Sequence, residues 1–339
     1  MRTTLFQLII VVLILCSCQK EKEISRGIYY WRSNFETTSQ ELQKLSKLKI
    51  NKLYLHLFDV KMINGKAVPV ATIHFKSDIP DSLHIIPVIY ITNETMLQLQ
   101  KSELNELAIK IKKLSHQLLG NYFFSVKEFQ FDCDWTDKSK ENYFYFLRYY
   151  SNLENETISL SATIRLHQVK YQNRTGIPPV SRGMLMFYNM GNIRDYQSNN
   201  SIYNSQNAES YLTNGLKYPI PLDVSLAAYS WGILYRFGIA TELISNLTKE
   251  ELTKDSLILN SHSNFYKIKK EHLFHGVYLQ AGDEIRLEAI DPKQLQQAAK
   301  QLSNRWNHET FTLTLYHWHD YLFNTFNSEE LETTFSTFN

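Results

Sequence analysis

The feature that most constrains the fold is a series of eight short apolar segments, with amphipathic helical patterns between several of them. The segments span residues 27–31, 52–59, 84–92, 128–135, 157–166, 184–189, 223–231 and 311–317. Near-continuous apolar runs are typical of strands buried on both faces of a parallel sheet. Helical spacing is clearest over residues 102–119, where Leu and Ile share one face. Eight strands alternating with helices predict an α/β fold, a single (β/α)8 barrel of the TIM-barrel type.

One stretch of the chain interrupts this alternation. Residues 232–282 are longer and less regular than the other connections. They predict an insertion near the seventh strand, either a lid on the barrel or a separate small lobe. The predicted organisation is a barrel-like domain over residues 26–325 that contains this insertion, followed by a C-terminal tail over residues 326–339.

Composition excludes several classes of protein. Of the 339 residues, 43% are hydrophobic and 21% are charged, which is typical of a globular protein and not of a disordered chain, coiled coil or collagen-like repeat. The 36 Lys and Arg residues nearly balance the 34 Asp and Glu residues, for a formal net charge of +2. Because nucleic-acid-binding domains usually carry a strong basic excess, we expect no nucleic-acid partner.

The amino-terminal residues have the layout of an export signal. A positively charged start precedes an apolar run over residues 5–15, which is too short to span a bilayer comfortably. Residues 1–17 therefore predict a lipoprotein signal peptide. The sequence at its end resembles a bacterial lipobox, and the small Ser17 favours Cys18 over Cys16 as the lipidated residue. The alternative is an ordinary signal peptide or an amino-terminal anchor helix.

A lipidated cysteine and a charged tether are predicted over residues 18–25. Acyl chains on Cys18 would hold the protein at a membrane, since each buried methylene contributes about 0.8 kcal/mol. The charged run resembles an export signal for the outer face of the outer membrane, although a plain solvated linker has the same composition. We expect an outer-membrane lipoprotein at the cell surface, with the periplasmic face as the alternative. Cys133 then stands alone in the barrel, so no disulfide is expected there.

Aromatic and charged side chains gather at the predicted carboxyl ends of the strands, where barrels carry their active sites. The candidates are Trp31, Asp59, Tyr90, Asp132, Asp134, Arg165, His167, Tyr188, Tyr229, Trp231 and His317. Aromatic faces beside carboxylates suit a sugar, whose C–H face stacks on a ring while its hydroxyls donate to Asp. Ordinary packing at the barrel rim is the alternative for any one of these aromatic residues. The pattern predicts a carbohydrate ligand.

Asp132 and Asp134 are the most informative pair. Residues spaced i, i+2 on a strand point to the same face, which in a barrel is the interior or its mouth. Two carboxylates in a poorly solvated place raise one another's pKa, an arrangement useful for acid–base catalysis. Because burial without partners is costly, the alternative is a structural pair neutralised by Arg165 or another cation.

Two further pairs of polar residues each admit two interpretations. Arg165 and His167 share a face at the end of the fifth strand, where Arg165 can hold an anionic sugar or pair with the carboxylates. His317 and His319 have a spacing that can chelate a metal, but no third ligand accompanies them. We therefore predict no metal site and a hydrogen-bonding role for His317. The sequence contains no phosphate-binding glycine loop and no Cys-x-x-Cys pair, so no cofactor is expected.

The sequence FDCDW over residues 131–135 resembles the end of the fourth strand in glycoside hydrolase family 18, the chitinase-like barrels. The motif of that family is Asp-x-x-Asp-x-Asp-x-Glu, and alignment on the Trp gives Asp132 and Asp134 its second and third Asp positions. Residues 184–189 resemble the family's sixth strand, which ends Met-x-Tyr-Asp, and add Asn189 to the candidate substrate-binding residues. The layout of the whole mature chain is similar to the bacterial domain of unknown function 3142.

The chain departs from the family 18 motif where the chemistry is concentrated. Phe129 occupies the first Asp position, and Asn189 replaces an Asp. Thr136 occupies the position of the catalytic Glu, which in family 18 protonates the leaving oxygen while the substrate's acetamido group attacks. Because Thr cannot deliver that proton at neutral pH, the resemblance does not carry over the family's chemistry unchanged.

Three hypotheses remain open. The first is a lipid-anchored barrel that acts on a carbohydrate, with Asp132 and Asp134 as the catalytic carboxylates or with Asp59 or Asp320 as the acid. The second is a non-catalytic glycan-binding lipoprotein. The third is a scaffold lipoprotein that keeps only the fold. The sequence leaves open whether the chain is an enzyme, and it indicates no protein partner.

Overall fold

Eight parallel strands close into a barrel. The computed structural model describes residues 23–154, 158–213 and 215–339. The barrel strands are β1 (Glu23–Tyr30), β2 (Lys52–Ile63), β3 (His84–Ile91), β4 (Glu128–Asp132), β5 (Ser159–Arg165), β6 (Arg182–Phe187), β7 (Leu222–Ala227) and β8 (Thr310–Tyr316). Because β1 pairs with both β2 and β8, the sheet closes on itself. The prediction of a (β/α)8 barrel is confirmed. The predicted signal peptide and Cys18 lie outside the described residues.

Helices alternate with these strands. The α-helices span Ser39–Lys47, Asn93–Gln98, Lys101–Leu119, Lys140–Leu153, Leu166–Lys170, Gln172–Thr175, Ser205–Leu212, Lys249–Lys254, Pro292–Ser303, Asp320–Thr325 and Ser328–Ser336, and a 3-10 helix spans Gly120–Ser125. Local capping explains where some of them begin. Thr38 accepts a hydrogen bond from the backbone of Glu41, whose carboxylate accepts one from the backbone of Thr38. None of the described helices is long and apolar enough to cross a membrane.

The structure shifts the carboxyl ends of three predicted strands by three residues or more. β2 continues to Ile63 because a hairpin turn at Asn64 and Gly65, both with positive φ, returns the chain as the strand Lys66–Val70. β4 ends at Asp132, three residues before the predicted end at 135. β7 ends at Ala227, since the chain then leaves the barrel to start the insertion. A further short parallel pair joins Asn34–Phe35 to His74–Phe75.

The insertion is an antiparallel sheet between β7 and the helix Pro292–Ser303. Its strands are Ser230–Arg236, Ile239–Ser245, Ile258–His262, Phe265–Ile268 and Glu284–Ala289, with the hairpin His272–Phe274 and Val277–Leu279 beside them. Leu234, Ile244, Tyr266 and Ile285 are among the residues of a second hydrophobic core inside it. The insertion therefore begins at Ser230, inside the segment predicted as the seventh strand, and ends at Ala289, beyond the predicted residue 282.

The segment over residues 326–339 is not a free tail. Most of it forms the helix Ser328–Ser336, and Phe335 and Phe338 are buried in the main core. Glu332 forms an ion pair with Arg26 of β1 at 2.5 Å. The tail prediction is therefore wrong, because apolar side chains spaced along this helix pack on the barrel. The last three residues of the predicted tether, 23–25, belong to β1.

Polar side chains fill the amino end of the barrel. Asp223, near the start of β7, accepts hydrogen bonds from the guanidinium of Arg182 at 2.5 Å and from the backbone N–H of Thr312 at 2.6 Å. Glu128, the first residue of β4, accepts a hydrogen bond from the buried hydroxyl of Ser161 at 2.5 Å. Burial raises the pKa of both carboxyl groups. Both Asp223 and Glu128 thus have protein partners.

Candidate functional site

A cavity of about 280 Å3 opens at the carboxyl ends of the strands. It brings together most of the residues predicted from the strand ends. Those in its lining are Trp31, Asp132, Arg165, Tyr188, Asn189, Tyr229, Trp231 and His317. A larger groove of about 960 Å3 lies between surface helices, around Lys44 and Asn327, and contains none of the predicted site residues.

The walls of this cavity are aromatic. The rings of Tyr188 and Tyr316 stack with centroids 5.3 Å apart, and Tyr229 contacts the ring of Tyr316 edge-on at 5.6 Å. Trp231 packs edge-on against Tyr229 at 5.4 Å, and Trp31 lies 5.6 Å from Tyr316. Such fixed ring faces can stack on an apolar ligand surface at low entropic cost.

Asp132, the last residue of β4, lies in the lining of the cavity. Its carboxylate accepts a hydrogen bond from the Thr163 hydroxyl at 2.6 Å and lies 4.0 Å from the guanidinium of Arg165. The side chain is buried. Burial raises the pKa of Asp132, Asp134 adds to the rise, and Arg165 opposes it without cancelling it. Asp132 is therefore an acid held partly desolvated beside the cavity.

Arg165 connects the two aspartates. Its Nε donates to Asp134 at 2.5 Å, and Asp134 itself is about half exposed. Burial disfavours the charged guanidinium, but Asp134 and Asp132 outweigh it and raise the pKa of Arg165, which stays charged. Of the two interpretations of Arg165, the geometry favours pairing with carboxylates over an unpaired cation for an anionic sugar.

The insertion builds one wall of the cavity, and three of the residues through which it does so were not predicted. Leu243, Ser245 and Asn246 line the cavity from the insertion. The Asn246 side chain contacts Nε2 of His317 at 3.2 Å. Burial lowers the pKa of His317 to about 3, so the ring is neutral. No periodicity or motif within the insertion marks these three residues.

Trp231 is held by a buried carboxylate. Its indole N–H donates to Glu288 at 2.8 Å, and the same carboxylate oxygen accepts hydrogen bonds from the backbone and hydroxyl of Ser201. Arg286 lies 2.8 Å from the other oxygen, and both side chains are fully buried. Glu288 thus ties the wall residue to the loop after β6 and fixes the indole against the cavity.

Two buried polar atoms in the cavity lining lack hydrogen-bond partners within the described part of the chain. They are Oγ of Ser230 and Nδ1 of His317, on residues that are 1% and 8% exposed. Leaving a buried polar group unpaired costs about 1–3 kcal/mol. Both atoms have almost no accessible surface, so they are enclosed beside the cavity and are not open to it. Ser230 and Tyr316 were missed in the sequence, although Tyr316 directly precedes the predicted His317.

A second cavity of about 290 Å3 adjoins the first. It contains the predicted residues Asp134 and His167, and it shares Arg165, Tyr188 and Asn189 with the first cavity. Its remaining lining comes from Leu166, Met190 and Tyr211. Burial lowers the pKa of His167, which favours the neutral ring. The two aspartates thus face different cavities on either side of Arg165.

Two predicted site residues line neither cavity. The Asp59 carboxylate lies 2.8 Å from Nε2 of His56 and 3.0 Å from Nζ of Lys61, outside both cavities. Burial alone would raise the pKa of Asp59, but the two partners outweigh burial and lower that pKa. Tyr90 pairs with Asp132 in the sheet register, and burial raises its pKa. Asp320, named as an alternative acid, lies at the start of the helix Asp320–Thr325, outside both cavities.

Thr136, at the position of the family 18 Glu, is exposed and lines neither cavity. Its backbone N–H donates to Ser139 at the start of the following helix. Trp135 turns into the core instead, where its indole donates to the carbonyl of Thr175.

Within residues 23–154, 158–213 and 215–339, no three His, Cys, Asp or Glu side chains are grouped so that they could hold a metal ion.

No protein-family model matches the chain, and no curated protein matches it in sequence. The likeness to domain of unknown function 3142 therefore stays a prediction. Solved structures do share the fold. The spore cortex-lytic enzyme SleL of Bacillus cereus has a TM-score of 0.52 at 12% identity, over 94% of this chain and 75% of that one.

Two further solved structures are similar over nearly their whole length. A chitinase from Chromobacterium violaceum has a TM-score of 0.51 at 8% identity, covering 92% of this chain and 98% of that chain. A glycoside hydrolase family 18 N-acetylglucosaminidase from Paenibacillus barengoltzii has a TM-score of 0.51 at 9% identity, covering 93% and 100%. The chain therefore has the closed eight-stranded parallel barrel of chitinase-like enzymes of glycoside hydrolase family 18.

Proposed function

We propose that this protein binds a carbohydrate in the cavity at the mouth of its barrel. The observation that carries the proposal is the pairing of aromatic walls with polar side chains in one cavity, among them the carboxylate of Asp132 and the guanidinium of Arg165. A pyranose ring presents an apolar face and a rim of hydroxyls, which match these two features. The shared fold with chitinase-like enzymes supports the same class of ligand.

The charges in the site favour a neutral sugar over an acidic one. Arg165 is the cation that lines both cavities, and it is engaged by Asp134 and lies close to Asp132. His317 and His167 are neutral because burial lowers the pKa of each ring. A uronate would therefore meet two carboxylates without an unpaired cation, and like charges at close range are unfavourable.

Hydrolysis with Asp132 as proton donor is a second candidate function. Burial raises the pKa of Asp132, which is what a general acid requires near neutral pH. Against it, Asp132 is already bonded to Thr163 and neighbours Arg165, and Thr136 replaces the family's acid. Binding without turnover is therefore the function we propose first.

Calorimetric titration with a defined sugar panel tests the proposal. The panel contains N-acetylglucosamine, glucose and glucuronic acid, each as the monosaccharide and as its β-1,4-linked dimer. We expect at least one neutral sugar to bind, and Trp231→Ala to weaken it by about tenfold through loss of an aromatic contact. Tyr278→Ala, on an exposed insertion residue outside both cavities, is the matched control.

The outcomes separate the alternatives. Absence of binding across the whole panel would overturn the carbohydrate proposal, and a preference for glucuronic acid would overturn the charge argument. Chromatography of the dimers after long incubation tests turnover. Release of monosaccharide that is lost in Asp132→Asn would establish the second candidate function in place of binding alone.

We also propose that Cys18 carries a lipid that anchors the protein to the outer membrane at the cell surface. β1 begins at Glu23 on the amino side of the barrel, whereas the cavity lies at the carboxyl ends of the strands. An anchor at Cys18 would leave that mouth free. Labelling with palmitate in the native host should be lost in Cys18→Ser and retained in the control Cys16→Ser. Protease treatment of intact cells distinguishes the outer surface from the periplasmic face.

A further inference from the structure

An exposed aromatic residue lies at the amino end of the barrel. Phe124 is 82% exposed, on the 3-10 helix Gly120–Ser125 that leads into β4. Outside the insertion, no other large apolar residue in the described part of the chain is more than 50% exposed. Single exposed apolar residues are common on protein surfaces, so a partner for Phe124 follows only from its surroundings.

The loop that carries Phe124 is held in place on both sides of it. On one side, the Tyr122 hydroxyl accepts a hydrogen bond from the backbone N–H of Ile79 at 3.1 Å, and Phe123 packs against the main core. On the other side, the backbone N–H of Val126 donates to the carbonyl of Phe123 at 3.0 Å. Phe124 is therefore exposed on an ordered loop whose neighbouring residues pack and hydrogen-bond.

The predicted tether enters the barrel at the same end. β1 to β4 are parallel, so the start of β1 at Glu23 and the loop before β4 both lie at the amino end. Cys18 precedes Glu23 by five residues, which span at most about 18 Å when fully extended. With the proposed lipid on Cys18, the amino end lies within about that distance of the membrane.

The chemistry of the Phe124 loop suits a membrane surface. Residues 120–127 contain no carboxylate and end with the exposed Lys127. The nearby Asp78 carboxylate accepts a hydrogen bond from the Tyr122 hydroxyl at 3.2 Å. Aromatic rings and lysines are the residues that contact the interfacial region and the headgroups of a bilayer. Because one lysine is a small charge, the ring is the main contact and an anionic lipid is not required.

We propose that the amino end of the barrel rests on the membrane, with the Phe124 ring in the interfacial region of the bilayer. This inference rests on the proposed lipid at Cys18. β4 lies three strands from β1 around the eight-stranded barrel, so Phe124 and the lipid contact the membrane on different sides of the barrel. Two separate contacts limit the tilt of the protein, and the cavity at the carboxyl ends then faces away from the lipid.

Fluorescent labels at two exposed phenylalanines test this placement. Lipidated Phe124→Cys and Phe237→Cys proteins, purified from native-host membranes, are labelled with nitrobenzoxadiazole and reconstituted into phosphatidylcholine vesicles that contain a nitroxide-labelled phosphatidylcholine. Phe237 is 94% exposed on the insertion, which leaves the barrel at the carboxyl end of β7, and is the matched control. We expect quenching and a blue shift of the label at position 124 only. The buried Cys133 should take no label in the parent protein.

A label at Lys127→Cys separates a contact made by Phe124 from proximity that the tether imposes alone. Phe124→Asp should reduce quenching at position 127, because a charged side chain is excluded from the interface, and Phe237→Asp should leave it unchanged. All of these positions are exposed, so the substitutions should not disturb folding.

Flotation of the protein with the vesicles distinguishes failure of the anchor from failure of this inference. Protein that floats but shows no quenching at position 124, or stronger quenching at position 237, would overturn the placement while the lipid at Cys18 stands. Unchanged quenching at position 127 in Phe124→Asp would overturn the role of the ring. Protein that does not float would overturn the lipid anchor and this inference with it.

Discussion

Both ends of the barrel contain a buried aspartate near an arginine, but the two aspartates differ in their hydrogen bonds. At the amino end, Asp223 accepts hydrogen bonds from Arg182 and from the backbone of Thr312. At the carboxyl end, Asp132 has one short hydrogen bond, from Thr163, and lies 4.0 Å from Arg165. Burial raises the pKa of both aspartates.

The difference is what we expect if the amino end serves stability and the carboxyl end binds the proposed ligand. The amino-end carboxylates have protein partners, as buried charges in a structural site must. The carboxyl end keeps Ser230 Oγ and His317 Nδ1 unpartnered among the described residues and surrounds them with aromatic rings. The aspartates at the two ends therefore differ in how many short hydrogen bonds they accept, two at Asp223 and one at Asp132. Four predictions test this contrast, from the largest expected effect to the smallest.

Removal of the amino-end carboxylate should have the largest effect on folding. Asp223→Ala leaves the Arg182 guanidinium and the Thr312 N–H without their partner, and breaking such a buried pair costs about 3–5 kcal/mol. We expect the free energy of unfolding to fall by about 3 kcal/mol, because Arg182 is partly exposed. Denaturant unfolding measures it. In the double variant Asp223→Leu with Arg182→Met, part of the loss should be recovered; no recovery would contradict a pair-specific cause.

Acidification should destabilise the protein through His317 at the mouth. Burial, with the nearby His319 and Arg32, lowers the pKa of His317 to about 3, below the ordinary value of 6.5. Between pH 6.5 and pH 3 the His317 ring is protonated in the unfolded chain and neutral in the folded protein. The free energy of unfolding therefore keeps this contribution above pH 6.5 and loses it progressively as the pH falls toward 3. The contribution is about 2 kcal/mol between pH 8 and pH 5.

The comparison of wild type with His317→Gln isolates this contribution. Denaturant unfolding at pH 8 and pH 5 should show a smaller pH dependence in the variant than in the wild type. Other buried histidines remain in both proteins. The quantity to measure is therefore the difference between wild type and variant in how much the free energy of unfolding changes from pH 8 to pH 5. An equal change in the free energy of unfolding in the two proteins would show that His317 is not a neutral buried ring.

Two buried serines, one at each end, provide a matched pair. Ser161 and Ser230 are both 1% exposed, but the Ser161 hydroxyl donates to Glu128 whereas the Ser230 hydroxyl has no partner within the described chain. Ser161→Ala should lower the free energy of unfolding by about 1–3 kcal/mol, because it leaves Glu128 under-bonded. Ser230→Ala should leave the free energy of unfolding unchanged or slightly higher, because it removes a hydroxyl that has no partner within the described chain. Equal losses of stability would remove the distinction between the ends.

Asp132→Asn should have the smallest effect on stability. The amide keeps an oxygen to accept the Thr163 hydrogen bond and has nearly the same shape, so we expect a change within about 1 kcal/mol. Sugar binding should persist within a few-fold, as measured by calorimetry with the neutral members of the panel. Loss of 3 kcal/mol or more would make Asp132 a structural residue like Asp223.

The barrel and much of its site could be predicted from local patterns. Apolar runs mark strands because each strand of a parallel barrel is buried on both faces, a property of the residues themselves. Parallel strands in a closed sheet end at the same rim, so the residues after each run converge. That rule alone brought Trp31, Asp132, Arg165 and Tyr188 into one list, and they share one cavity.

Apolar periodicity and the convergence of strand ends did not predict every residue of the site, nor the packing of the chain's last segment. Asp59 lies inside β2, which continues into a hairpin, and its ion-pair partners His56 and Lys61 lie on the same strand. The predicted tail packs as a helix on β1 through Glu332 and Arg26. The first outcome depends on where the strand ends and the second on contacts with residues distant in sequence, and apolar periodicity encodes neither.

The sequence by itself determined the barrel, the position of its mouth and the aromatic and acidic character of that mouth, because these follow from periodicity and from strand ends meeting at one rim. Only the tertiary structure decided that Arg165 lies between Asp132 and Asp134, that Thr136 stands outside the site, and that the insertion forms a wall through Asn246 and Trp231. Those outcomes are distances between residues far apart in the chain, and they arise from packing and hydrogen bonding that no local pattern specifies.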